Sequence, residues 1–261
     1  MKTMITFLFG AFGIAMANAQ TEGKENAMLN NGIKFLDTPY VAHTLEATEG
    51  EEELIINCDE VDCTTFVEYA LAMSLSPTED GQVAEGDFAK KLQMIRYRDG
   101  KINGYLSRLH YNTDWVNNGV RNGFLEDVSA TRSPYTKKVN LTYMSSHPEL
   151  YRQLKSSPQN VAGMKEIEKS LSGQEIYYVP QDQLPFNGLP WIKNGDIIAI
   201  LTNTPGLDVA HMGIAFYVDG KLSLLHASSK EKKVTVSKIA LRQMLLNNDQ
   251  WTGIRVLRMK E

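Results

Sequence analysis

Three residues of this chain are of the types that carry covalent acyl chemistry: Cys63, His211 and His226. Cys63 follows Asp62 in the stretch Asp62-Cys63-Thr64-Thr65-Phe66-Val67-Glu68-Tyr69-Ala70-Leu71-Ala72-Met73, with apolar residues at 63, 66, 67, 70, 71 and 75. That spacing predicts an amphipathic helix with Asp62 as its cap and Pro77 as its stop. A helix N-terminus presents unpaired N–H groups and the positive end of the aligned peptide dipoles. It therefore lowers a thiol pKa and offers donors to an oxyanion. Two plainer roles fit the same position. Cys63 would pack in the apolar stripe, since free cysteine is among the most buried residue types, or pair with Cys58 in a disulfide.

A nucleophile needs a base, and the C-terminal third supplies candidates. Residues 195–201, 209–218 and 221–227 read as three strands, the last two joined by Asp219-Gly220, a two-residue hairpin signal. With Val218 opposite Lys221, Gly213 falls opposite His226, and His211 lies diagonal to His226 on the same face, about 7–8 Å away. Gly213 and Ala215 are small, so this face is expected to receive the Cys63 helix, with Met212, Ile214, Phe216 and Val218 turned the other way. A thiol, a histidine to take its proton and a polar group to orient that histidine form a nucleophile, base and orienter set. The same three side chains would also suit a Cys-His-His zinc site.

These blocks resemble a known superfamily. Asp-Cys-Thr-Thr-Phe-Val-Glu at 62–68, Gly-Asp-Ile-Ile at 195–198, Ala-His-Met-Gly-Ile at 210–214 and Leu-His-Ala-Ser at 225–228 look like the motifs of NlpC-type papain-like cysteine amidases. A further block, Ile95-Arg96-Tyr97-Arg98-Asp99-Gly100 with Tyr105 to Tyr111 and Asp114-Trp115, resembles the N-acetylmuramoyl-L-alanine amidase-like branch of that group. Thr64-Thr65 after the cysteine, in place of the usual Ser-Gly, also matches the branch. The matched blocks span about 57–258. The resemblance implies an α+β, papain-like fold, an antiparallel sheet packed against the cysteine helix, with a helical insertion at about 80–175. It maps nucleophile, base and orienter to Cys63, His211 and His226, with no cofactor and no metal.

The implied reaction is hydrolysis of the amide between N-acetylmuramic acid and L-alanine in peptidoglycan fragments. Tyr105, Arg108, His110, Tyr111, Asp114 and Trp115 mix charge and aromatic surface, as a site for a sugar and a carboxylated peptide would. Tryptophan stacks on a sugar face and arginine forks onto a carboxylate. The structural alternatives are a core Trp115 and an internal ion pair at Arg108. Three other functions stay open: a γ-D-glutamyl stem-peptide endopeptidase, an acyltransferase on the same scaffold, and a binding module that keeps only the cleft.

Composition bounds the rest. At 261 residues, 43% hydrophobic and 22% charged, the chain can bury one sizeable core, so residues 20–261 are expected to form a single domain, a monomer. A net charge of -4 and the lack of a basic cluster with interleaved aromatics give no reason to expect nucleic acid. Lys2, the apolar run from Met4 to Met16 and Ala17-Asn18-Ala19 read as a secretory signal peptide over residues 1–19, hence export to a periplasm or beyond. No later stretch is apolar enough to span a membrane. Residues 85–98 read as a helix through Phe88, Leu92 and Ile95, 147–171 as two helices and 237–247 as another. Strands are expected at 124–130, 137–144, 175–180 and 253–258. Glu49-Gly50-Glu51-Glu52-Glu53 reads as solvated surface.

Overall fold

The computed structural model describes residues 26–46, 51–76, 78–79 and 82–260. The signal sequence read at 1–19 and Pro77 lie outside the described residues. A seven-stranded antiparallel sheet organises the chain. Its strands are β1 (Leu125–Asp127), β2 (Val179–Pro180), β3 (Ile197–Thr202), β4 (Val209–Val218), β5 (Lys221–Ser228), β6 (Lys233–Val236) and β7 (Trp251–Met259). They lie in the order β6-β5-β4-β3-β7-β1, with β2 also paired to β7. The helices used below are α1 (Ala27–Ile33), α2 (Cys63–Leu75), α3 (Glu85–Arg96), α4 (Asn112–Arg121), α5 (Pro158–Leu171) and α6 (Leu241–Leu246).

The hairpin forms in the expected register. Val218 opposes Lys221 and the pairing runs up to Ile214 opposite Leu225, with Asp219 and Gly220 both at positive φ in the turn. Alternation along β4 then separates two cores. Met212 and Ile214 join Phe66, Val67, Ala70 and Leu71 of α2 on one face. Ala215 joins Leu224, Ile200, Ile254 and the α6 residues Leu241 and Leu245 on the other. The Cys63 helix thus covers the Met212 and Ile214 face, and the expectation that it would cover the Gly213 and Ala215 face is corrected. Gly213 is small for a different reason. A Cβ there would stand 2.7 Å from Leu224 Cγ, so the neighbouring strand's leucine fills the space.

Helix α2 also departs from its amphipathic reading, because every residue from Thr65 to Met73 is buried. A helix covered all round needs partners for its polar side chains. Glu68 finds one in Arg96 of α3, Nε to Oε2 2.7 Å, with both groups buried. Phe88, Leu92 and Ile95 of α3 close the outer side.

The segment from 85 to 177 builds a third core around Tyr111, Leu141, Met144, Leu154, Met164 and Ile176, keyed to the sheet by Leu201. Two expected strands there are shorter than read. Residues 124–130 give β1 and then a helical turn, Val128–Arg132, capped by Asp127 accepting from the Ala130 amide. Of residues 137–144 only the start is extended, Thr136–Lys138 pairing with Glu175–Tyr177, and Tyr143–Ser146 is helical. Through β1 this segment contributes an edge strand to the main sheet.

Candidate active site

Asp62 caps α2 as its sequence position implies. Its carboxylate accepts from the Thr64 and Thr65 amides at 3.0 and 2.8 Å, and its own amide donates to Thr65 Oγ1 at 2.9 Å, a reciprocal capping box. The cap fixes Cys63 as the first helical residue. Cys58 and Cys63 are both free thiols.

The N-terminus of α2 meets the start of β4 at an open cleft. Cys63 and Thr64 line it from the helix, Leu207 to Met212 from the strand and the loop before it, and Leu109 to Asn112 with Trp115 from the third side. A bulge shapes the strand here: Ile200 opposes His211 but Leu201 opposes Val209, so Ala210 is the extra residue. Beyond the bulge His211 Nε2 lies 2.7 Å from His226 Nδ1, the two rings edge to face at 87°. The diagonal placement read from the hairpin register therefore becomes a direct hydrogen bond.

Burial governs the charges. It pushes His211 down to about 3, with His226 beside it adding to the effect, and His226 down to about 4. Both imidazoles are neutral near pH 7. Burial and the Asp62 carboxylate push the Cys63 thiol up to about 11, against the pull of the Cys63 and Met212 amides. The lowered thiol pKa expected from the helix N-terminus is thus not found: desolvation outweighs the amides, and at rest Cys63 is a thiol and His211 a neutral imidazole.

The residues expected to bind substrate divide into two groups. His110, Tyr111 and Trp115 line the cleft. His110 is held by Nε2 on the Tyr105 carbonyl, 2.9 Å, and burial pushes it down to about 3. Tyr111 donates to Glu168 Oε1 at 2.6 Å. Trp115 is only 3% exposed and so offers no open face for stacking. Tyr105, Arg108 and Asp114 do not line the cleft. Arg108 is a buried ion-pair centre, with Nη2 2.6 Å from Glu46 and Nε 3.2 Å from Glu52. Its guanidinium also lies over the Tyr105 ring at 5.0 Å. Asp114 pairs with Arg98. The fork onto a substrate carboxylate is therefore replaced by an internal role. Glu52 is likewise no solvated charge, because Tyr97 donates to it at 2.9 Å as well.

Three residues at the site, Asp208, Asn112 and Trp251, carried no motif. Asp208 lies buried in the cleft wall and accepts from the Thr113 amide at 2.6 Å and the Val209 amide at 2.9 Å. Asn112 Oδ1 and Trp115 Nε1 are buried without hydrogen-bond partners. Trp251 stacks on His211, ring centroids 5.9 Å apart and planes 6° from parallel. Among the described residues no group of three or more His, Cys, Asp or Glu is arranged to hold a metal ion.

With this geometry in view, the relatives are informative. A model of the AmiA-like family, N-acetylmuramoyl-L-alanine amidase-like, matches residues 30–254. The chain belongs to that family. A crystal structure of an N-acetylmuramoyl-L-alanine amidase from Bacteroides uniformis is 68% identical with a TM-score of 0.88, covering 90% of this chain and 99% of that one. A putative xylanase from Bacteroides fragilis is 66% identical with a TM-score of 0.86, covering 88% and 100%. A Legionella pneumophila protein at 21% identity, TM-score 0.67, covering 90% and 88%, shares the fold. No curated protein matches the chain.

Proposed function

We propose that the protein is an exported, cysteine-dependent N-acetylmuramoyl-L-alanine amidase on a papain-like, NlpC-type scaffold. The observation that carries the reading is the 2.7 Å contact between His211 and His226 in the cleft that Cys63 enters from a capped helix N-terminus. Nε2 of His211 is taken by His226, so Nδ1 is the nitrogen left to receive the thiol proton. A base accepting at Nδ1 carries its own hydrogen on Nε2 and donates it to His226 Nδ1. His226 must then be neutral, as burial keeps it.

In the reaction the Cys63 proton passes to His211, the sulfur attacks the lactyl carbonyl, and the Cys63 amide donates to the tetrahedral oxyanion. The imidazolium returns its proton to the departing L-alanine nitrogen as the C–N bond breaks. Water then attacks the thioester, with His211 again taking a proton, and releases the muramic acid carboxyl and the thiol. Export is supported by the Lys2-led apolar run and Ala17-Asn18-Ala19. Among the described residues no helix is long and apolar enough to cross a membrane.

Glycoside hydrolysis, suggested by the xylanase relative, fits less well. It needs two carboxyl groups flanking the bond, and among the described residues one carboxylate lines this cleft, Asp208, which is engaged by two backbone amides. Mass spectrometry of a muramoyl-tripeptide digest tests the proposal. A bare sugar acid and a tripeptide beginning with L-alanine are expected. A muramoyl dipeptide with a diamino acid fragment would mean an endopeptidase.

A further inference from the structure

Trp251 reaches His211 by strand geometry. It opposes Thr202 on β3, Thr202 shares a face with Ile200, and Ile200 opposes His211. The bulge between Trp251 and Gly253 then sets the indole parallel to the imidazole, 6° between planes. The histidine's edge is occupied by His226 and one face by an aromatic ring.

We propose that Trp251 is a positioning residue for the base: its indole face fixes the ring plane of His211 and stabilises the imidazolium formed when Cys63 gives up its proton. The inference rests on the reading of Cys63 and His211 as nucleophile and base. An imidazole in this buried setting gains little hydration when it becomes charged, and an indole is the aromatic face that attracts a cation most strongly. The carboxylates near the ring are engaged elsewhere, Asp62 by the Thr64 and Thr65 amides. His226 accepts the His211 Nε2 hydrogen at its Nδ1 as a neutral group. Asp208 is bound to the Thr113 and Val209 amides. His110 and Tyr111, on the opposite wall of the cleft, are tied to Tyr105 and Glu168.

Iodoacetamide alkylation of Cys63, followed by peptide mapping across pH, tests this in Trp251→Leu and Trp251→Phe. Near neutral pH Cys63 is a thiol, so alkylation there needs His211 to take the proton as the sulfur attacks, and the imidazolium forms in that step. Trp251→Leu should slow alkylation about tenfold and Trp251→Phe by less, with turnover falling in parallel and KM little changed. As pH approaches the thiol's own ionisation near 11, the imidazolium is no longer needed and the rates should converge on wild type. Equal rates at neutral pH, or a deficit that persists unchanged at alkaline pH as an effect on access would, overturns the inference. His211→Gln serves as the control for the underlying reading. If it leaves neutral-pH alkylation at the wild-type rate, His211 is not the base, and that failure is distinct from a Trp251 effect. Should Trp251→Leu fail to fold, the Phe variant still decides, since it keeps the ring packing while weakening the cation contact.

Discussion

His226→Gln separates the electrostatic from the structural part of the histidine pair. In the folded chain burial holds His226 down to about 4, against 6.5 for an unburied imidazole. Above the higher value the ring is neutral in both folded and unfolded chains, so its contribution is fully present. As pH falls, the unfolded chain takes up a proton that the folded chain refuses, and stability is lost progressively towards the lower value. The gap is worth about 3 kcal/mol in full and about 2 kcal/mol at about pH 5. Glutamine stays neutral and its Oε1 still accepts from His211 Nε2. Urea unfolding of both proteins at about pH 7.5 and about pH 5 should therefore show the wild type losing about 2 kcal/mol more than the variant. His110 also destabilises in acid but is present in both proteins, and the His211 shift comes first from burial, which both proteins share. Equal losses would show that His226 is not held neutral by burial, and the tautomer assignment built on its neutrality would go with it.

Cys63→Ser should abolish amidase turnover while leaving thermal unfolding unchanged, because the swap is nearly isosteric and the hydroxyl ionises far less readily; residual wild-type turnover would remove the nucleophile assignment. Glu68→Gln should cost about 3–5 kcal/mol in denaturant unfolding by leaving Arg96 buried and unpaired beneath α2, and a cost below about 1 kcal/mol would contradict the buried-pair reading. Asp208→Ala should cost about 1–2 kcal/mol, the loss of a helix cap, and raise KM through displacement of the α4 wall; an unchanged KM would detach Asp208 from the cleft's shape.

The parts of the site that were legible in the sequence are those set by short-range rules. Asp219-Gly220 fixes a hairpin register, and that register alone brings His211 and His226 onto one face. Asp62 with Thr65 three residues on fixes where α2 begins. What escaped depends on which surface another element covers. Strand alternation groups Met212 with Ile214 and His211 with Gly213, but it does not say which group faces α2, and a small residue marks close approach without naming what approaches. Here it was Leu224. Glu52 read as solvated surface and Arg108 as a fork for substrate, with an internal ion pair as its alternative, because partners at long separation are invisible along a sequence. Trp251 was beyond reach for a similar reason: its contact with His211 crosses an intervening strand and passes two bulges.

The cleft owes its third wall to one such long-range contact. Tyr111 precedes α4 and supplies no side-chain cap, so the first-turn amides need an acceptor from elsewhere. Asp208 provides it, three residues before His211 in the chain, by reaching across to Thr113. The carboxylate thus binds the start of the base-bearing strand to the helix that carries Asn112 and Trp115. Burial raises the Asp208 carboxyl above its usual range, and this is tolerated because the Thr113 and Val209 amides both stabilise the ionised form. Three buried polar atoms at the start of α4 have no hydrogen-bond partner: Asn112 Oδ1, Thr113 Oγ1 and Trp115 Nε1. Leaving buried polar groups unmatched is costly in a folded chain.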